Sequence, residues 1–241
     1  MRAAGEAAAL FRSAVWRGEG VAPGDGRPVM LIPGFLAGDG SLATLARWLQ
    51  AVGYHTRRAG IRANVACSET ACARLEPRLE ELADATGRPV ALVGQSRGGV
   101  FARALAVRRP DLVSGIVTLG APTLSQLSVH PLVLAHVGVV AALGTGRLPG
   151  MFSVRCLRGS CCAPFRRDVR GRFPDGVGYV ALYSRTDGIV DWRACLDPAA
   201  EHVEVHASHV GMALNPTVYE HLARALAEFA ERGATELAQA A

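Results

Sequence analysis

The stretch Leu92-Val93-Gly94-Gln95-Ser96-Arg97-Gly98-Gly99 constrains this chain more than any other. An apolar run over 89–93 leads straight into a glycine, and a lone serine sits between glycines two positions away on each side. The residues beyond it, to Arg109, have helical character, and Pro110 ends them. Strand, sharp turn and helix in that order leave little room at the turn. Side chains two positions either side of the serine would collide, and Gly94 and Gly98 remove the collision. The serine oxygen then projects above the carboxyl end of a strand, where open α/β sheets bind ligands. A phosphate loop is excluded by its own chemistry, because it needs a lysine and the chain has none.

The rest of the chain supplies the sheet. Short apolar runs at 29–32, 89–93, 116–119, 178–183 and 203–205 read as strands, with a weaker one at 54–57. Between them lie helical patterns. Leu42, Leu45, Trp48, Leu49 and Val52 share one face, with Asp39 or Ser41 expected as the N-cap and Gly53 at the C-terminal end. Ser68 is expected to cap a helix carrying Cys72, Leu75, Leu79 and Leu82, kinked or broken at Pro77 and stopped by Gly87. A short helix is expected before Arg17, and a last one from Pro216 to about Arg232, with a frayed tail beyond. Strands alternating with helices predict an α/β fold, a mostly parallel sheet with helices on both faces. With 241 residues, half of them hydrophobic, residues 1–241 form one domain. Residues 122–177 interrupt the rhythm with the apolar helix PLVLAHVGVVAALG, Pro131 at its start and Gly144 at its end.

A serine hydroxyl needs a base, and the base needs an acid to orient it. Asp187 follows a predicted strand in a loop with Gly188 and is the expected acid; Asp191 is the second candidate, with a helix cap as its plain structural reading. His209 lies between the last strand and the last helix and is the expected base, ahead of His206 and His202 on or near the strand. Two backbone donors complete the set, the amide of Arg97 and that of Phe35 in the loop after the first strand. The Arg97 side chain is expected to face solvent or an acidic neighbour.

LIPGFLAGD, LVGQSRGG, SRTDGIVDW and SHVGMALNP in that order resemble the α/β-hydrolase superfamily, in its bacterial lipase and esterase branch. The resemblance spans the chain from Val29 to the last helix. It implies a serine carboxylic-ester hydrolase for apolar acyl esters, working through an acyl-enzyme with Ser96, Asp187 and His209 as triad, Phe35 and Arg97 as oxyanion donors, and Gly94 and Gly98 framing the nucleophile. It implies no metal and no organic cofactor. Many members carry His-Gly where this chain has Pro33-Gly34, which keeps the donor and removes any contact of the histidine. Acyltransferase and thioesterase chemistry use the same triad, and a non-catalytic binding protein of the same fold is the rival from another class. In similar lipases a segment such as 122–177 is a lid over the acyl pocket that opens on a lipid surface; a buried cap helix is the other reading. His130 and His136, within it, read as structural.

Composition narrows the partners. The net charge of +5 comes from arginines spread along the chain, so a small-molecule or lipid ester is expected and nucleic acid is not. No window of about 18 apolar residues suggests a membrane span. The first residues make a poor signal peptide, because Glu6 and Arg12 interrupt them, and a cytoplasmic location is expected. Six cysteines leave export and bridging open. Cys67 and Cys72 would close a short loop, and a bridge from the Cys156, Cys161 and Cys162 group to Cys195 would pin the insertion. A zinc site is not expected, for want of a paired C-x-x-C signature.

Overall fold

The computed structural model describes residues 2–240, with side chains for all of these except 2, 158 and 233–240. Six strands form one parallel sheet in the order β2-β1-β3-β4-β5-β6. They are β1 (Pro28–Ile32), β2 (His55–Arg58), β3 (Val90–Gln95), β4 (Val113–Leu119), β5 (Gly178–Tyr183) and β6 (Glu201–Glu204). The strands β1 and β3 are buried along their whole length, while the edge strands β2 and β6 are largely exposed. This is the pattern of a sheet covered on both faces.

Alternation along the strands sorts the core into two halves. Val29, Leu31, Val93, Val117 and Leu182 point to one face, against α1 (Arg2–Arg12), α2 (Ala43–Ala51) and α8 (Pro216–Ala240). Met30, Ile32, Leu92, Ile116 and Ala181 point to the other, against α3 (Ser68–Thr86), α4 (Arg97–Arg108) and α7 (Ala163–Arg170). The remaining helices are α5 (Pro131–Thr145) and α6 (Val154–Arg158).

Several local expectations are corrected. Pro77 neither breaks nor ends α3. It lies on the exposed side, while Cys72, Leu75, Leu79 and Leu82 hold the opposite side in the core. Neither Asp39 nor Ser41 caps α2, which begins after a 3-10 turn at Asp39–Leu42. The Asp39 carboxylate instead accepts from the amides of Gly60 and Ile61, tying this turn to the chain after β2. Cys67, not Ser68, takes the cap position of α3. The last helix continues to Ala240, past the end expected near Arg232.

The apolar helix is also placed differently from either simple picture. Pro131 opens α5 as expected, and the His130 ring accepts from the amide of Leu132 as its cap. Its C-cap is Gly146 rather than Gly144. Only Val140 and Ala141 of α5 are buried; they pack with Phe152, and Leu132, Val139 and Leu143 face outward. The second half of the segment behaves oppositely. Phe165 and Val169 of α7 enter the core, with the Phe165 ring edge-on to Phe101 at 5.6 Å.

All six thiols are free. Cys67 and Cys72 pack in different clusters, Cys67 with Phe152 and Cys72 in the core beneath α3, and no bridge joins them. Cys195 is buried near Asp187 and Asp191, and no bridge joins it to the insertion.

Candidate active site

Because every strand runs the same way, the residues that follow β1, β3, β4, β5 and β6 gather at one edge of the sheet. Ser96 sits at the turn from β3 into α4 with φ 52° and ψ −123°. A non-glycine residue keeps such a backbone only where its surroundings enforce it. The Ser96 amide donates to Leu119 O at 2.8 Å, and the Gly99 amide donates to Ser96 O at 2.9 Å. A Cβ on Gly94 would come within 2.5 Å of the Gly98 carbonyl, and one on Gly98 would strike the carbonyl of Ile32. The glycine spacing read in the sequence thus has a steric cause: β1, β3 and the start of α4 touch through their backbones.

Asp187 and His209 lie side by side in the loops after β5 and β6. His209 Nδ1 is 2.6 Å from Asp187 Oδ2, and both side chains are buried. The other carboxylate oxygen accepts from the amides of Ile189 and Val190 at 2.8 and 2.7 Å. The His209 amide donates to Asp187 O at 3.1 Å, so the two loops are bound by main chain as well as side chain. This arrangement places the Nδ1 proton against Asp187 and leaves Nε2 to accept a proton.

The rival candidates fall elsewhere. Asp191 caps the 3-10 turn at Trp192–Cys195, accepting from the Arg193 amide. His206 is exposed, and the exposed His202 places its ring against Asp197 O.

Phe35 follows β1 and lines the same cavity as Ser96 and Arg97. The loop carrying it is held by Asn64, a buried residue whose side-chain amide donates to Pro33 O at 2.8 Å. The Arg97 side chain corrects the expectation that it faces solvent. It turns inward, donating to Asn64 O, Asn64 Oδ1, Ala66 O and Ser68 Oγ. Its guanidinium also lies over the rings of Phe101 and Phe152. Burial lowers the Arg97 pKa to about 10, against the pull of nearby cysteines.

Three further residues shape the site without a motif to announce them. Gln95 donates from Nε2 to His209 O at 3.0 Å. Gly120, after β4, has φ +55°, and a Cβ there would lie 3.0 Å from Asp187 Oδ2 and 3.2 Å from His209 Nδ1. Glu6, on α1, accepts from the amide and hydroxyl of Ser208, next to His209.

The cavity over Ser96 has a volume of about 340 Å³. Val133 and Val137 of α5, Phe152, Leu157 and Phe165 supply its apolar walls. A shallow hollow of about 410 Å³ lies at Ser128–His130 and Gly188–Asp191 and is lined without Ser96. There Val129 pairs with Val190 in an antiparallel bridge, and the His130 amide donates to Ile189 O. The entry to α5 is therefore fastened to the loop that carries Asp187.

The fold is matched by solved structures. Mature lipase BlEst2 of Bacillus licheniformis superposes with a TM-score of 0.63 at 17% identity, covering 85% of this chain and 94% of that one. The chain has the α/β-hydrolase fold. Naproxen esterase (carboxylesterase NP) of Bacillus subtilis matches with a TM-score of 0.54 at 20% identity over 85% of each chain. A soluble variant of the monoglyceride lipase of Saccharomyces cerevisiae matches with 0.60 at 16%, covering 88% of this chain and 89% of that one. No family model and no curated protein matches the sequence. Among the described residues, no helix of this α/β-hydrolase-fold protein is long and apolar enough to cross a membrane.

Proposed function

We propose that the protein is a serine carboxylic-ester hydrolase for apolar acyl esters. The observation that carries this is the buried His209–Asp187 pair at the same sheet edge as the strained Ser96 turn. Such a pair serves to hold one imidazole tautomer and to stabilise the cation it becomes. In the reaction His209 Nε2 takes the Ser96 proton as Oγ attacks the ester carbonyl. The oxyanion is held by the amides of Phe35 and Arg97, and the alcohol leaves with the proton from His209. Water then repeats the sequence, and Ser96 is released with the free acid. A substrate closing over Ser96 brings the hydroxyl and imidazole into register, as hydrogen bonds of this kind tighten in the complex.

The substrate class follows from the cavity. Its valine, leucine and phenylalanine walls suit an acyl chain, and Arg97, Arg166 and Arg170 line it beside them. We assign α5, within the 122–177 insertion, as the lid of a single domain, while α7 of the same insertion packs in the core. Through Val133 and Val137, α5 roofs the cavity, and it leaves Leu132, Val139 and Leu143 outward for transient contact with a lipid surface.

A fluorophosphonate probe tests the mechanism. The native protein is expected to be labelled, and Ser96→Ala is expected to lose the label; labelling of the variant at the native level refutes the reading. Hydrolysis of p-nitrophenyl esters of increasing acyl length then places the optimum. Loss of hydrolysis in Ser96→Ala with transfer to alcohols exceeding hydrolysis in the native protein would identify an acyltransferase instead.

A further inference from the structure

Four of the six cysteines meet at one point beside the cavity. Cys67 lies at the start of α3, Cys156 on α6, and Cys161 and Cys162 on the 3-10 turn that follows. Their four sulfurs all lie within 4.8 Å of one another. Cys67 and Cys162 are 3.2 Å apart, and Cys161 and Cys162 are 3.9 Å apart. A zinc ion held tetrahedrally by thiolates at ~2.3 Å sets its ligands roughly 3.8 Å apart. The observed separations bracket that spacing. Cys162 is buried, Cys67 and Cys156 are half-buried, and Cys161 is exposed, so the group is rooted in the protein and open on one side.

The surroundings suit a thiolate cluster. The amides of Thr70 and Glu69 at the start of α3 face the Cys67 sulfur. Adjacent thiolates repel, and a dication removes that conflict by displacing their protons to solvent. Arg97 stands close enough to Cys162, Cys67 and Cys156 to feel their charge, and offsets the negative charge of a four-thiolate centre. The Ser153 amide points at Cys156 Sγ from 3.4 Å, an outer hydrogen bond of the kind that orients a metal ligand.

We propose that Cys67, Cys156, Cys161 and Cys162 form a zinc site. Thiolates select a soft tetrahedral ion, and four protein ligands leave no open position for catalysis, so the role is structural. The ion staples the stretch between α5 and α7 to the start of α3. The same stretch of α3 and its preceding loop receives the Arg97 guanidinium at Ala66 and Ser68. Zinc therefore stiffens the wall of the cavity on the Arg97 side. The site stands whether or not the protein hydrolyses esters.

Elemental analysis of the full chain, purified under reducing conditions and gel-filtered after addition of equimolar zinc, tests it. One zinc per chain is expected, with loss in Cys67→Ser and Cys161→Ser and retention in Cys195→Ser. Cys161 is exposed, so its replacement leaves the core intact and keeps the comparison meaningful if Cys67→Ser does not fold. Cobalt exchanged into the native protein is expected to show the thiolate charge-transfer and tetrahedral ligand-field bands of a four-sulfur site. Native protein without retained zinc, cobalt spectra of octahedral type, or an intact mass short of the hydrogens of two disulfides would each overturn the proposal.

Discussion

Glu6 and Ser208 are joined by two hydrogen bonds, at 2.8 Å from the Ser208 amide and 2.6 Å from its hydroxyl. The first helix thereby grips the residue that precedes His209. Glu6→Ala is expected to lower stability by about 1.5–3 kcal/mol, the range for hydrogen bonds to a charged group. It should lower kcat more than it raises KM, because the imidazole and not the cavity is disturbed. Glu6→Gln, which keeps one acceptor, should recover part of the loss. Urea unfolding and ester kinetics check both; a change confined to KM would remove the positioning role.

Gly120 is expected to accept no side chain. Its φ of +55° and its closeness to Asp187 and His209 mean that Gly120→Ala both strains the backbone and presses on the pair. A cost of about 1–3 kcal/mol is expected from the backbone alone. A displacement of the imidazole by even an ångström is expected to cost roughly 100-fold in kcat. Thermal melts and turnover of a soluble ester measure the two effects.

The buried ion pair of Arg103 with Asp197, 2.5 Å apart, should matter far more to stability than the surface pairs. Arg103 also donates to the carbonyls of Asp168 and Gly171, so it holds the end of α7 against α4. Asp197→Ala is expected to destabilise by about 3–5 kcal/mol, since it strands a buried charge. Glu201→Ala, which breaks the exposed pair with Arg224, should cost about 0.2–1 kcal/mol. Chemical denaturation of the two variants gives the comparison.

The outward face of α5 is expected to govern activity at a lipid surface and little else. Leu132→Asp together with Val139→Asp places charge on side chains that are 62% and 57% exposed. Folding should be preserved within about 0.5 kcal/mol each, as for most surface changes. Turnover of a short soluble ester should persist while turnover of an emulsified long-chain ester falls. Equal losses on both substrates would contradict the lid assignment.

Cys72 and Cys195 are expected to resist alkylation in the native protein. Burial raises both thiols to about 12, so each stays protonated near pH 8 and the reactive thiolate is scarce. Reactivity should appear only after unfolding or as pH approaches 12. Peptide mapping after iodoacetamide treatment at pH 8, native and denatured, checks this.

Much of the site was legible because its chemistry is local. Gly94, Ser96 and Gly98 announce themselves by spacing, since a strand-to-helix turn this tight restricts residues two positions apart. Asp187 and His209, read as loop residues after strands, lie side by side in the fold, whereas Asp191 caps a turn and His206 is exposed. The inward turn of the Arg97 side chain is not legible along the chain because its partners, on Asn64, Ala66 and Ser68, lie about thirty residues earlier, and two of the four acceptors are backbone carbonyls, which carry no sequence signature. Gln95 and Glu6 escaped notice for the same reason.

By itself the sequence determined the parallel sheet, its two helical layers and the loops that carry Ser96, Asp187 and His209. Period-two burial and turn sterics act over a few residues, and a single chain records them. The tertiary structure alone decided the inward turn of Arg97, the outward face of α5 and the meeting of Cys67 with Cys156, Cys161 and Cys162. Each of those depends on segments brought together across the fold, where packing and burial select partners that spacing along the chain does not encode.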